Sequence, residues 1–141
     1  MFKNQLSKIR YSILESCHRT KEGHIGSAFS VVEILFVIFR RYFNKNYFIL
    51  SKGHAAIGAY AVMNHFGIIK NKDYQSFCSF NSKLGGHPDS TKLPNFNFST
   101  GSLGHGVPVS TGLAFSLKQK RDKKNVICLM GDQELMEGTT W

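Results

Sequence analysis

Residues 125–138 read NVICLMGDQELMEG and constrain the fold more than any other stretch. The run Val126-Ile127-Cys128-Leu129-Met130 has the length and β-branched content of a fully buried strand, the kind that lies inside a parallel sheet. It breaks at Gly131-Asp132, and the acidic residues Asp132, Glu134 and Glu137 follow at once. Open α/β sheets bind their ligands beyond the carboxyl ends of their strands. One carboxylate completed by phosphate oxygens and water is also a common way to hold Mg²⁺. A strand followed by a solvated acidic turn accounts for the same residues, so the segment by itself leaves both readings open.

The upstream chain reads as helices separated by glycine-rich turns. Leu6, Ile9, Ile13, Leu14 and Cys17 recur at spacings of three and four, which predicts an amphipathic helix over 4–20 that ends near Gly23. His24-Ile25-Gly26-Ser27 reads as a loop, with Ser27 as the N-cap of an apolar helix over about 28–41. That helix is apolar nearly all round, the pattern of a helix buried on several sides. Tyr47-Phe48-Ile49-Leu50 reads as a short strand entering Lys52-Gly53-His54. A small-residue helix follows over 55–66, with Ala56, Ala59, Tyr60 and Met63 on one face, and a short helix over 70–80.

Residues 81–99 are irregular, broken by Gly85-Gly86, Pro88 and Pro94. A loop of that length in a compact domain is usually functional or disordered. It holds Gly86-His87-Pro88 and runs into Thr100-Gly101-Ser102-Leu103-Gly104-His105-Gly106, ahead of an apolar helix over 107–118. A glycine-rich loop opening onto a helix N-terminus can cradle phosphate on free backbone N–H groups. The spacing matches neither the Rossmann nor the Walker pattern, so alone it is a low-specificity signal.

Composition narrows the function classes. The chain has 141 residues, 42% of them hydrophobic and 19% charged, which fits one globular domain. A net charge of +9 raises nucleic-acid binding. The basic residues, however, are spread along the chain, and the one cluster, residues 118–124, follows a helix where cations suit the dipole. Nucleic acid is therefore disfavoured as a partner. No apolar window is long enough to span a bilayer, and no signal peptide opens the chain. Cys17, Cys78 and Cys128 lack metal-ligand spacing and read as reduced thiols, the state expected of a cytoplasmic protein.

Four features stand in one order: Gly23-His24-Ile25-Gly26, Ser51-Lys52-Gly53-His54-Ala55, Gly86-His87-Pro88 with residues 100–106, and Gly131-Asp132-Gln133-Glu134 with Glu137-Gly138. This ordered set closely resembles the N-terminal, diphosphate-binding part of the transketolase family, above all its split N-terminal subunits. The resemblance covers nearly the whole chain.

It implies an α/β fold, an incomplete doubly wound parallel sheet that is helix-rich in residues 1–141, binding thiamine diphosphate through Mg²⁺. It implies transfer of a two-carbon ketol unit between sugars, phosphorylated or nucleotide-linked. Carried over by position, Asp132 is a Mg²⁺ ligand, and His54, Gly101, Ser102, Leu103 and Gln133 touch the cofactor. His24, His54 and His87 line the substrate channel, where imidazoles suit proton transfer. Glu137 resembles the acidic residue that joins two cofactor sites across a dimer. A homodimer, or a heteromer with a C-terminal transketolase subunit, follows from the same likeness.

Three departures stand against the pattern. Gln133 replaces the second glycine of Gly-Asp-Gly, and Asn44-Lys45-Asn46-Tyr47 stands where an acidic pair and an arginine are usual. The family's second Mg²⁺ ligand and its pyrimidine-binding domain also fall beyond Trp141. The expectation is a fragment that is inactive alone and needs further sequence or a partner. The alternative is a degenerate interaction module that keeps the fold without cofactor.

Overall fold

The structure is a computed structural model and describes residues 2–141. Six α-helices and two strands are described: α1 (Phe2–Thr20), α2 (Ile25–Phe29), α3 (Val32–Arg41), β1 (Tyr47–Leu50), α4 (Ala56–His65), α5 (Asn71–Gln75), α6 (Gly106–Gln119) and β2 (Val126–Leu129). β1 and β2 pair in parallel, from Tyr47 opposite Val126 to Leu50 opposite Leu129. Parallel strands need a long crossover, and here it carries α4, α5, the irregular segment and α6. Both strands therefore end on the side where the glycine-rich loop returns.

α4 is the hub of the helical layer. All residues from Ala56 to Met63 are buried, and α1, α2, α3 and α5 pack around it. Small residues permit that crowding. A β-carbon on Gly58 would stand 3.1 Å from the Ala28 carbonyl oxygen, so α2 lies directly on α4. The one-faced helix expected over 55–66 is thus enclosed on every side. Phe48 and Leu50 of β1 enter this helical core, where Phe48 meets Phe39 and Phe96. α6 packs against both strands, and a β-carbon on Gly106 would run into Ser51.

Several expected elements differ. The helix read over 28–41 is two helices, broken at Ser30-Val31, and α2 begins at Ile25 inside the expected loop. The Ser30 hydroxyl donates to the Ser27 carbonyl at 2.9 Å, a local bond of the kind that competes with helix continuation. Ser27 is therefore inside α2 and not its N-cap, the position taken by His24. α3 buries one face only and leaves Ile34 and Val37 exposed. The short helix over 70–80 contracts to α5. Leu14 lies exposed although it shares the α1 stripe, and β2 is half-buried along Val126–Cys128 instead of fully buried.

At the β1 edge away from β2, the Asn97 side chain accepts the Phe48 N–H at 2.8 Å and blunts an otherwise bare strand edge. α1 ends as expected near Gly23, whose φ of +113° is accessible to glycine. No described helix is long and apolar enough to cross a membrane.

Candidate functional site

The carboxyl ends of β1 and β2 open onto three loops that meet. After β1 the chain turns through Ser51-Lys52-Gly53-His54. Gly53 is pressed against residues 100–101, where its missing β-carbon leaves 2.9 Å to the Gly101 nitrogen. The Thr100 hydroxyl donates to the Leu50 carbonyl at 2.6 Å, and the Thr100 N–H to the Pro88 carbonyl at 3.3 Å. The glycine loop is thereby stitched to the end of β1 and to the His87 segment.

Three histidines from three segments converge on this seam. The His24 ring stands edge-on to His54 with centroids 5.6 Å apart, and 6.5 Å from His87. His24 caps α2, His54 lies in a 3₁₀ turn before α4, and the His87 backbone carbonyl accepts the buried Tyr60 hydroxyl at 3.1 Å. The His87 ring lies 3.5 Å from the point where a Gly101 β-carbon would sit. Burial holds the His54 imidazole below the ordinary histidine value, helped by Lys52, His24 and His87, while Glu134 pulls it upward. A group so placed is largely neutral near pH 7, able to accept a proton.

Beside the histidines, Phe98, Ser99, Thr100, Gly101, Ser102 and His105 line a cleft of about 290 Å³. Among the described residues, the N–H groups of Gly101, Ser102 and Leu103 make no internal hydrogen bond. Free N–H donors just ahead of α6 are the arrangement that receives phosphate oxygens.

The β2 exit brings Asp132 and Gln133, both exposed, in a 3₁₀ turn over Asp132–Met136. The Asp132 side chain has no hydrogen bond or ion pair among the described residues. Gln133 does not pack into the core. Glu137 is exposed, and its β-carbon covers Gly104, whose φ of +78° keeps the loop turning there. Among the described residues no group of three or more His, Cys, Asp and Glu side chains is placed to hold a metal ion. Asp132 thus stands as a single carboxylate.

Residues 2–141 match the family model described as "Transketolase, thiamine diphosphate binding domain". The chain belongs to the transketolase family. It is 38% identical to an apulose-4-phosphate transketolase subunit of Actinobacillus succinogenes, over 84% of this chain and 47% of that protein. Transketolase of Pongo abelii is 34% identical over 99% of this chain and 24% of its own length. A crystal structure of a transketolase variant from Pichia stipitis superposes with a TM-score of 0.85 at 25% identity, covering 97% of this chain and 23% of that one. The chain therefore spans about half the length of the Actinobacillus relative and about a quarter of the Pongo relative. The fold, helix-rich with a small parallel sheet, is that of the transketolase N-terminal α/β domain.

One residue of this cluster in the transketolase-family chain escaped assignment from the sequence. Glu134 is buried, and its carboxyl oxygens bind the Ser51 hydroxyl and the Gly104 and Gly131 N–H groups. The available signal was its spacing. A glutamate three residues after Gly131 can reach back to that N–H, as in a capping box.

Proposed function

We propose that this chain is the N-terminal, cofactor-binding portion of a transketolase-like enzyme that moves a two-carbon ketol unit between sugars with thiamine diphosphate and Mg²⁺. The observation that carries the reading is the meeting of His24, His54 and His87 beside a glycine loop with free N–H groups, at the carboxyl ends of two parallel strands. The residues fit the cofactor. The N–H groups of Gly101, Ser102 and Leu103 receive diphosphate oxygens, and the glycines at 53 and 101 leave no side chain in the way. Asp132 would supply one carboxylate to Mg²⁺, an ion that proteins commonly hold with one or two carboxylates plus phosphate oxygens and water. Gln133 contributes its backbone next to the diphosphate.

Thiamine diphosphate, when bound, supplies the carbanion and the electron sink. This chain's residues position and transfer protons: His24 and His87 bind and orient sugar hydroxyls, and His54, held largely neutral, serves cofactor and substrate together. Glu137 joins a second cofactor site across a dimer. One relative is named as a transketolase subunit, which supports a heteromer with a C-terminal transketolase subunit over the alternative of a homodimer. The phosphorylated sugar in the same name supports a phosphorylated substrate. We assign residues 1–141 to one part of the diphosphate-binding domain of a cytoplasmic enzyme.

Calorimetric titration of the complete polypeptide with thiamine diphosphate and Mg²⁺ tests the reading. Binding is expected to require Mg²⁺ and to disappear in Asp132→Ala while the thermal melt is unchanged. The 141 residues alone are expected to bind far more weakly. Binding that persists in Asp132→Ala at subsaturating Mg²⁺ would remove the metal assignment.

A further inference from the structure

Glu134 is the only charged side chain among the buried polar residues described, with a relative exposure of 0%. Burying a carboxylate is costly unless donors replace its water. Here Oε1 accepts from Ser51 Oγ at 2.5 Å and from the Gly104 N–H at 2.9 Å, and Oε2 accepts from the Gly131 N–H at 2.8 Å. Those three donors come from the end of β1, the glycine loop and the end of β2. The glutamate is itself pinned, because the Thr140 hydroxyl donates to its main-chain carbonyl at 2.6 Å. Thr139 adds a bond to the Gly104 carbonyl at 3.2 Å. The sheet ladder ties β1 to β2, but it does not reach the glycine loop. Between that loop and the chain after β2, the shared carboxylate and the Thr139 hydroxyl are the direct hydrogen-bond ties, and of the two only the carboxylate also holds the Gly131 N–H.

We propose that Glu134 is a positioning residue, a buried carboxylate that locks the glycine loop to both strand ends and so fixes the spacing between the free N–H groups of residues 101–103 and Asp132. Its effect on cofactor binding rests on the function proposed above, whereas the clamp itself does not. Glutamine cannot replace it. An amide has one acceptor oxygen, so its NH₂ must face either the Gly131 N–H or the Ser51 and Gly104 donors.

Amide hydrogen exchange of the full chain without ligand reads the clamp. In Glu134→Gln whichever of the Gly104 and Gly131 amides is left facing the NH₂ is expected to exchange about tenfold faster, while the Tyr47 amide of the β1–β2 ladder keeps its rate. Thr140→Val loosens the turn and keeps the carboxylate, so it is expected to accelerate both glycine amides about twofold to threefold. The His54 titration separates charge from position. Lys52, His24, His87 and Glu134 act on that ring, so Glu134→Gln lowers its midpoint whereas Thr140→Val leaves it in place. Calorimetry with thiamine diphosphate and Mg²⁺ is expected to show binding weakened about tenfold by Glu134→Gln.

Uniform acceleration of all amides, or none at Gly104 and Gly131, overturns the clamp. Should Glu134→Gln fail to fold, unchanged exchange at both glycines in Thr140→Val overturns it equally. Equal binding by wild type and Glu134→Gln overturns the positioning role. A wild-type protein that binds no thiamine diphosphate overturns the proposed function and leaves the clamp to the exchange rates.

Discussion

The Gly101 nitrogen lies 2.9 Å from the point where a β-carbon on Gly53 would project, with Thr100 Oγ1 at 2.8 Å. The obstacle is mostly backbone, which cannot swing aside like the end of a long side chain. Gly53→Ala is therefore expected to destabilise the chain by about 1–3 kcal/mol, the usual cost of overpacking. Gly112→Ala is the control. Nothing lies within 4 Å of its β-carbon position, and alanine in α6 is expected to stabilise by about 0.5–1 kcal/mol. Denaturant unfolding compares the two, and equal midpoints would refute the close approach.

The His54 environment sets a direction for stability against pH. Its folded value is below the 6.5 of a free histidine, so the unfolded state takes up the proton first. Its stabilising contribution is complete above about 6.5 and is lost as pH falls from there through the folded value. Thermal melts across that window are expected to show a slope that His54→Gln reduces. Lys52→Met removes a positive neighbour and is expected to raise the His54 midpoint, read from its ring proton resonance. A midpoint unmoved by Lys52→Met would contradict the electrostatic account.

In the complete enzyme, His24→Ala and His87→Ala are expected to lower turnover more than thiamine diphosphate affinity. Both rings belong to the histidine cluster, although the His87 ring also lies against Gly101 of the loop. Losses of about 10²–10⁴-fold in kcat are the range for a positioned proton-transfer group. Steady-state kinetics with a phosphorylated ketose, beside cofactor titration, separates the two effects. Full turnover in both variants would refute the substrate-side assignment.

Exposed apolar side chains predict self-association of the 141 residues. Phe115 on α6 is 63% exposed, Met136 82% and Trp141 88%, and Val126–Cys128 of β2 is only half-buried. Large exposed apolar surface and uncovered strand edges promote association. Light scattering across a concentration series is expected to show mass rising with concentration, and Phe115→Lys with Met136→Lys is expected to reduce it. A constant monomer mass would show that these residues are self-sufficient.

The sequence by itself determined the elements whose pattern is carried by near neighbours along the chain. The three-and-four spacing of Leu6, Ile9 and Ile13 is enough to specify α1, and the β-branched run before Gly131-Asp132 is enough to specify β2. The ordered glycine and histidine motifs likewise pointed to the family, because they are read along the chain. Tertiary structure decided the rest. Ser30-Val31 breaks a continuous apolar pattern because α2 must lie on Gly58 of α4 while α3 takes its own path. Burial of β2 depends on what covers its faces, which its own residues do not contain. Glu134 reads as one more acidic turn residue until Ser51, Gly104 and Gly131 bring their donors around it. Periodicity and turn chemistry act between near neighbours in the chain, but burial and the environment of a charge come from distant segments that only folding brings together.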